Sequence, residues 1–473
     1  MTAQKATMTR LLSALPALLI AGAALAEPTT PGTATDPVLA ELIRESLARR
    51  PELRQADALV QAERERVPQA GAWQDPVLTL GLQNDGFNGL QIGKMDTSYY
   101  QVMVTQPIPW PGKNGLRSEV ASSGAKLAEA SVSRARLTAE ADVRRAYLDL
   151  LLVRDRLALL VKLEALWTKS EGLARNRYEA SEGAQSDILR AQLERNRLRQ
   201  RRWSLEAEER TKLQAINRLR AHPLDEPLQT TASVRQLGLP AVPGIEAAQA
   251  DAERRSPELL QARLQSQRAA SQVALAKRDR WPDLAVTAAI MPRGSLDPMW
   301  AAGVSITLPI FSGSKQSRAV AESEARASAS DGGVEAVQQV LRLRVQERIA
   351  QLTNLVESAA IYRDGLLIQS QATVDSTMSQ YRVGRVTFAS VLEAITGVIS
   401  DEDGYLQTVA SAQRIAIAAD EVSLDAAGGG SSGLSGASMP GTGAAASGGA
   451  ASAGGPSSAS GDAGSSSSSM NKM

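Results

Sequence analysis

The stretch QPIPWPGK (residues 106–113) places three prolines and a glycine between two segments of opposite character. Before it, SYYQVMV alternates in the way that is typical of a β-strand. After it, a charged stretch rich in Ala and Leu runs from Asn114 to about Arg177, and only single glycines interrupt it. A helix of that extent would be roughly 95 Å long, at 1.5 Å per residue. The stretch therefore marks a stiff joint between a strand and a very long helix.

The pattern around this joint occurs a second time further along the chain. Three pairs of segments recur in the same order: RRPELRQADALVQAERERV (49–67) and RRSPELLQARLQSQRAASQV (254–273), VTQPIPWPGKNGLRS (104–118) and ITLPIFSGSKQSRA (306–319), RYEASEGAQSDIL (177–189) and QYRVGRVTFASVL (380–392). A Trp and an Asp/Pro pair follow the first segment in both copies: Trp73, Asp75 and Pro76, then Trp281, Pro282 and Asp283. Because the landmarks keep their order, we interpret the chain as a duplicated helix–strand–strand–helix unit.

The predicted organisation is mainly α with a small β part. Its segments are a signal peptide (1–26), a first repeat (27–230) with two strands within about 76–107, a second repeat (231–424) with two strands within about 284–309, and a tail (425–473). The first helix should span about 37–72, with Asp36 as its N-cap. Long helices should follow at about 114–177, 185–220, 315–380 and 387–424. The Gly/Ser/Ala-rich tail cannot bury a core and should be disordered.

The N-terminus predicts export from the cytoplasm. Lys5 and Arg10 precede a short apolar run that ends in Ala24-Leu25-Ala26, which is the pattern of a secretory signal cleaved near Ala26. The chain contains no cysteine, so an N-terminal lipid anchor cannot be attached. We therefore expect an exported protein that is not lipidated.

Composition argues against several classes of function. The net charge is +1, which gives no global field to attract nucleic acid. With no cysteine and only one histidine, the loop-like His222, thiolate sites, histidine triads and multi-histidine metal sites are not expected. Nucleophile-elbow and P-loop motifs are also missing from the sequence. We expect no enzyme, no cofactor, no metal site and no nucleic-acid partner.

The strands indicate contact with lipid. In VLTLGLQ (77–83) leucines alternate with Thr, Gly and Gln, and in WAAGVSITL (300–308) large residues alternate with small and polar ones. This length and pattern suit an outer-membrane strand with an apolar outer face. Four strands cannot close a barrel, and an open edge in lipid would leave backbone groups without partners. Three chains supply twelve strands, so we predict a homotrimer with an outer-membrane β-barrel that continues into a long periplasmic α-helical barrel.

These features together resemble the TolC-like outer-membrane efflux proteins. The resemblance rests on the signal peptide, the duplicated unit, QPIPWPGK, DVRRAYLDLL (142–151) and a Y-x-x-G motif at the hairpin tips, and it covers about residues 37–424. It implies a trimeric channel-tunnel whose partners are a periplasmic adaptor and an inner-membrane pump. The PWPGK motif most resembles the CzcC- and CusC-like branch that works with heavy-metal resistance-nodulation-division (RND) pumps. The missing cysteine fits the CzcC-like or TolC-like branch better than the CusC-like one.

The resemblance also implies candidate site residues. A periplasmic gate would involve Tyr381, Arg385, Glu393, Tyr178 and Asp187. Arg385 lies one residue from the usual position of a gating Arg, and the first motif has Ser181 where the family has Gly. An acidic ring in a narrow pore would select cations. The alternative is that Asp187 and Glu393 are ordinary solvent-facing charges.

The two joints form a second group of candidate residues, which we predict to lie at the barrel–tunnel junction. They are Pro107, Pro109, Pro111 and Gly112 in the first repeat, and Pro309 and Gly313 in the second. Pro107 and Pro109 should end the strand, and Asn114 should cap the helix that follows. Trp110 at this boundary fits an interfacial aromatic.

Three functional hypotheses remain open from the sequence. The first is the exit duct of a tripartite efflux pump for heavy metals or drugs. The second is the outer-membrane duct of a type I protein-secretion system. The third is a periplasmic coiled-coil scaffold without a pore, against which the alternating strands argue.

Overall fold

The structure, a computed structural model, describes residues 36–425. The predicted signal peptide and the predicted tail after Asp425 lie outside the described residues. The first half contains α1 (Pro37–Arg49), α2 (Pro51–Gly71), β1 (Val77–Gln83), β2 (Tyr99–Ile108), α3 (Lys113–Glu179) and α4 (Gln185–Leu219). The second half contains α5 (Val234–Leu237), α6 (Ile245–Arg255), α7 (Pro257–Arg278), β3 (Asp283–Arg293), β4 (Leu296–Thr307), α8 (Gln316–Ile361), a π-helical turn (Tyr362–Leu366), α9 (Leu367–Arg382) and α10 (Phe388–Asp420). The mainly helical fold with a small sheet is as predicted.

The long helices pack side by side. α4 packs against α3, α3 against α10, and α10 against α8 and α9. α3 has 67 residues and is about 100 Å long at 1.5 Å per residue. No helix among residues 36–425 is both long and apolar enough to cross a membrane.

The strands form one antiparallel sheet in the order β1-β2-β3-β4. Val77 to Gln83 pair with Thr105 to Tyr99, so β1 and β2 form one hairpin. β3 and β4 form the other, and β2 pairs with β3 between them. Both halves of the chain therefore contribute one hairpin, and β1 and β4 are the edges of the sheet.

The two largest of the five apolar clusters among residues 36–425 hold α3, α4 and α10 together. One lies midway along the bundle and includes Val143, Tyr147, Leu150, Ile216 and Leu406. The other lies near the hairpin turns that follow α3 and α9. Within the first cluster, the Tyr147 hydroxyl donates to Asp36, whose other carboxylate oxygen accepts from the backbone of Val38 at 3.0 Å. The predicted N-cap of α1 thus also ties this helix to α3.

The structure corrects two predicted helices. The helix expected over 37–72 is broken at Arg50, which is extended (φ −60°, ψ 124°), because Pro51 disfavours the helical conformation in the residue before it. Ser256 before Pro257 breaks the second repeat in the same way. The helix expected over 315–380 is interrupted by the π-helical turn. The sequence of this turn contains no proline and no pair of glycines that would have predicted the interruption. The bounds of the other long helices agree with the prediction to within a few residues.

Candidate functional site: hairpin tips, strand-to-helix joints and sheet faces

The two helical hairpins turn with the same backbone geometry. In the first, the Ser181 N–H donates to Tyr178 O at 2.9 Å and the Glu182 N–H to Arg177 O at 2.8 Å. In the second, Gly384 donates to Tyr381 O at 3.0 Å and Arg385 to Gln380 O at 2.9 Å. This double hydrogen bond is a Schellman-type helix end, and it needs a left-handed residue. Gly384 (φ 75°) supplies it in one turn, and Ser181 (φ 64°) in the other.

Tyr381 joins the second hairpin tip to the first. Its side chain is buried, with 2% exposure, and its hydroxyl donates to Asp187 Oδ2 at 3.0 Å. Its ring packs edge-on against Phe388, with 5.5 Å between centroids. Burial and the hydrogen bond to Asp187 raise the pKa of Tyr381 to about 12. The hydroxyl therefore stays protonated, as a donor, at any physiological pH.

Arg177 makes a second connection between the tips, and the sequence reading missed it. Its Nη1 donates to Tyr381 O at 2.7 Å, its Nη2 donates to Glu182 O at 2.9 Å, and its guanidinium lies 4.9 Å from the centre of the Tyr381 ring. The predicted gating arginine was instead Arg385, next in sequence to the second motif. The position of Arg177 directly before Tyr178 could have indicated this role. An arginine at a helix end can donate to the free carbonyls of a neighbouring turn.

The remaining predicted gate residues are not brought together. Arg385 and Glu393 are exposed, and Tyr178 is 46% exposed. Among residues 36–425 their side chains have no hydrogen bond or ion pair. The structure therefore joins Tyr381 and Asp187 and leaves the other three exposed. Their role in a gate stays a prediction.

An apolar cluster lies directly behind the tips. It combines residues of α3, α4, α9 and α10: Trp167, Ala174, Ala191, Val374, Met378, Tyr381, Phe388, Val391, Ile395 and Val398. Trp167 is 1% exposed and is the largest side chain in it. Burial of this kind is the main source of stability in a helix bundle. The cluster therefore holds the hairpins of the two repeats together, and the polar contacts of Tyr381 lie at its end.

Ser181→Gly should stabilise the first hairpin by up to about 1 kcal/mol, because glycine adopts positive φ without the penalty that a Cβ imposes. Gly384→Ala should do the opposite, since its Cβ would also lie 3.0 Å from Arg177 Nη2. Thermal unfolding of the purified protein measures both. Gly172→Ala, inside α3 with nothing within 4 Å of the added Cβ, is the control and should be neutral or stabilising. A lower melting temperature for Ser181→Gly would contradict the strain argument.

The joint QPIPWPGK is tied to the chain segment that enters β3. Lys113 is buried, with 2% exposure, and its Nζ lies 2.9 Å from Asp283 Oδ1 and donates to Trp281 O at 2.9 Å. The Trp110 backbone N–H donates to the same Asp283 oxygen at 2.8 Å, and the Trp110 ring stacks on Trp281 with 5.2 Å between centroids. Arg278 donates to Pro111 O at 2.8 Å. The end of the first strand pair is thus locked to the start of the second strand pair.

Two details of this joint differ from the prediction. Pro107 does not end the strand, because it is still paired with Ala285 within β2. It lies beyond Thr105, where pairing with β1 stops, so its missing N–H is tolerated there. Asn114 does not cap α3. The helix begins after Gly112, whose φ of 90° makes the turn, and Asn114 donates instead to Ala72 O at 3.1 Å.

The second joint has fewer contacts. Pro309 follows the end of β4, and Gly313 lies in the turn before α8. Leu308, Ile310 and Phe311 are 66%, 77% and 69% exposed. The two joints therefore share a sequence pattern, but among residues 36–425 only the first is packed against other parts of the chain. That both lie at a barrel–tunnel junction stays a prediction.

The two faces of the sheet differ in chemistry. One row of register partners on the first face is Leu80, Val102, Ile290 and Trp300. These side chains are 71%, 37%, 51% and 79% exposed. The row next to it on the opposite face is Thr79, Met103, Ala289 and Ala301. The alternation predicted from the sequence thus produces one exposed apolar face and one face of mostly small and polar side chains.

Comparisons with known proteins agree with this architecture. None of the curated proteins matches the chain. Among solved structures, the outer-membrane channel OprN is 22% identical, with 84% of this chain and 91% of that chain covered and a TM-score of 0.68. CusC is 17% identical, with 82% of this chain and 93% of that chain covered and a TM-score of 0.69. VceC of Vibrio cholerae is 17% identical, with 84% of this chain and 97% of that chain covered and a TM-score of 0.67. At these identities the likeness shows a shared fold.

Family membership follows from the sequence itself. The family model described as "Outer membrane efflux protein" matches residues 42–222 and 249–428, one segment in each half of the chain. The resemblance stated from the signal peptide, the repeats and the hairpin motifs is confirmed at this level. Because the two matched segments cover most of its length, the chain belongs to the outer membrane efflux protein family.

Proposed function

We propose that the chain forms the outer-membrane exit duct of a tripartite efflux pump and catalyses no reaction itself. The observation that carries this proposal is the sheet, whose exposed face carries large apolar side chains on all four strands, including Leu80 and Trp300. An exposed apolar surface of this extent requires an apolar environment, and β2, β3 and β4, with 10, 11 and 12 residues, are long enough to cross a bilayer. The helices that continue from the sheet are long enough to project about 100 Å into the periplasm.

A homotrimer is part of the proposal. The strands β1 and β4 each have one partner in the protomer, and a sheet edge in lipid needs another strand. The edge helices also carry exposed, uncharged stripes at spacings of mostly three and four residues. On α4 the stripe is Leu189, Leu193, Asn196, Gln200, Ala207 and Thr211, and on α9 it is Ile368, Ala372, Ser376 and Ser379. Uncharged side chains cost less to bury than charged ones, so neighbouring copies would meet along these stripes and close both the barrel and the helical cylinder.

The hairpin tips are the proposed gate. A tip that opens must separate helices of the two repeats, and the bonds from Tyr381 to Asp187 and to Arg177 oppose that movement. The exposed Glu393 is free to contribute to an acidic ring, which would favour cations at the constriction. An adaptor and an inner-membrane RND pump are the proposed partners that open the tips and supply the energy.

Heavy metals are the proposed cargo, because the PWPGK motif of the first joint resembles that of the family branch that works with heavy-metal pumps. Drug export is the alternative cargo, and protein export by a type I secretion system is the alternative pathway. A deletion strain separates the three. Sensitivity to divalent or monovalent metals supports the proposal, whereas sensitivity to drugs alone or loss of a secreted protein would replace it.

The purified protein should insert into planar bilayers and give single-channel currents, because a closed barrel of twelve strands has a water-filled lumen. In detergent it should migrate on gels in a heat-modifiable way, as a folded β-sheet protein does. Extraction from membranes by salt alone, with no channel activity, would favour the periplasmic scaffold instead.

A further inference from the structure

The first joint shows what a completed contact between repeats contains. Lys113 is enclosed by Asp283 and the Trp281 carbonyl, and β2 lies beside β3. Across this strand pair the hydroxyls of Thr105 and Thr287 face each other at 3.5 Å. The contact thus combines a strand pairing, a threonine pair and a lysine that binds the residues just before the next strand.

The second joint has the same residue types without their partners. In the alignment of the two repeats, Lys315 corresponds to Lys113 and Thr307 to Thr105. Lys315 is exposed, and within residues 36–425 its ammonium has no carboxylate within ion-pair distance. Leu308 and Phe311 beside it are two-thirds exposed. This joint therefore has the lysine and the threonine of the contact, but not the groups that bind the lysine.

The segment that enters β1 contains the other half. Trp73 and Asp75 correspond to Trp281 and Asp283. Trp73 is 63% exposed, Asp75 is exposed, and in the part of the chain that the structure describes neither side chain has a hydrogen bond, ion pair or stacked ring. This segment and the second joint adjoin the two edge strands of the sheet, β1 and β4, which have no second partner among residues 36–425.

Repeat equivalence also gives a register for pairing these edges. In the protomer, Val102 lies opposite Ile290 and Thr105 opposite Thr287. The corresponding pairs are Val304 with Leu82, and Thr307 with Thr79. Val304 and Leu82 both belong to the exposed apolar face, and Thr307 and Thr79 both belong to the opposite face. The register therefore keeps each face of the sheet chemically continuous, which a shift by one residue would not.

We infer that the next copy in the proposed trimer supplies the missing half of this contact. Lys315 of one copy binds Asp75 and the Trp73 carbonyl of the next, β4 pairs with β1 so that Thr307 faces Thr79, and Phe311 and Leu308 cover Trp73. The contact uses different surfaces on the two copies, so it is head-to-tail and closes into a ring. The inference rests on the proposed trimeric duct and adds to it the residues and the register that join the copies.

A cysteine pair tests the register, and the absence of native cysteine removes any background. We expect the double variant Thr79→Cys and Thr307→Cys, after mild oxidation in the outer membrane, to give covalent dimers and trimers on non-reducing gels. Each single variant should stay monomeric, because the contact is head-to-tail. The matched control is Thr105→Cys with Thr287→Cys, which should form its disulfide within one chain and leave the mass unchanged.

The outcomes separate this inference from the proposed function. Intact trimers in mild detergent without the cross-link would overturn the register and leave the duct standing. Cross-linking of a single variant would show a symmetric contact and would also overturn it. Absence of any trimer for the unmodified chain would overturn the proposed assembly itself.

A charge exchange tests the lysine contact independently. Lys315→Glu alone and Asp75→Lys alone should each shift the recovered protein from trimer toward monomer, because each places like charges together. The double variant should restore the trimer. If both single variants assemble like the unmodified chain, or if the double variant is no better than either single one, Lys315 does not bind Asp75.

Discussion

Replacing Asp187 with Ala should shift the hairpin tips toward an open state by about tenfold, because it removes the carboxylate that accepts the Tyr381 hydroxyl at 3.0 Å. A hydrogen bond to a charged group contributes about 1.5–3 kcal/mol, and 1.4 kcal/mol is a factor of ten. The lower end applies here, since Asp187 is half-exposed. Single-channel recording in planar bilayers measures the change as a higher open probability or a larger conductance.

Two further variants distinguish two roles for the tip residues. One is a lock, by which we mean the hydrogen bond from Tyr381 to Asp187 that holds the tips closed, and the other is an acidic ring that selects ions. Tyr381→Phe keeps the ring contacts with Phe388 and Arg177 but loses the hydroxyl, so it should reproduce the effect of Asp187→Ala. Glu393→Ala removes an exposed charge without such a contact, so it should change ion selectivity and leave the open probability unchanged. If Asp187→Ala conducts like the unmodified channel, the bond between the tips does not hold a gate.

The lock also has a defined dependence on pH. Because burial and Asp187 raise the pKa of Tyr381 to about 12, the bond is fully present below the ordinary tyrosine pKa of about 10 and is lost as pH rises through about 12. Deprotonation would place a phenolate against a carboxylate and open the tip. Conductance should therefore rise between about pH 10 and 12 in the unmodified channel, and this step should be missing in Tyr381→Phe.

The elements of the fold could be predicted because local sequence decides them. Alternation with period two specifies which face of β1 is apolar, and the proline-rich joint separates β2 from α3. The break at Arg50 was equally readable, since Pro51 follows it directly, and it was missed because the helical pattern continues on both sides. The π-helical turn at Tyr362 had no such signal, and its Tyr362 side chain packs against Gly404 of α10, a contact that the local sequence does not show.

The candidate site was predictable only in part, because its contacts join residues about 200 positions apart. Tyr381 and Asp187 could be named from their motifs, yet their hydrogen bond depends on how two hairpins pack. Arg177 was missed for the same reason, since its acceptor is a backbone carbonyl of the other repeat. At the first joint Lys113 was not named as a candidate residue, although it is buried against Asp283, about 170 positions away in the sequence.

Trp167→Ala should destabilise the hairpin tips by about 3–5 kcal/mol, because it empties a fully buried site among four helices. Hydrogen exchange of the tip segments 170–190 and 375–395 measures this loss as faster exchange, and limited proteolysis measures it as earlier cleavage there. Trp203→Ala on α4 is the matched control. Trp203 is 69% exposed, so its truncation should change the same quantities by no more than about 0.5 kcal/mol. Equal protection of the tips in both variants would mean that the cluster does not hold the repeats together. If the cluster does keep Tyr381 beside Asp187, Trp167→Ala must also raise the conductance of the closed channel, since both polar contacts depend on the packing behind them.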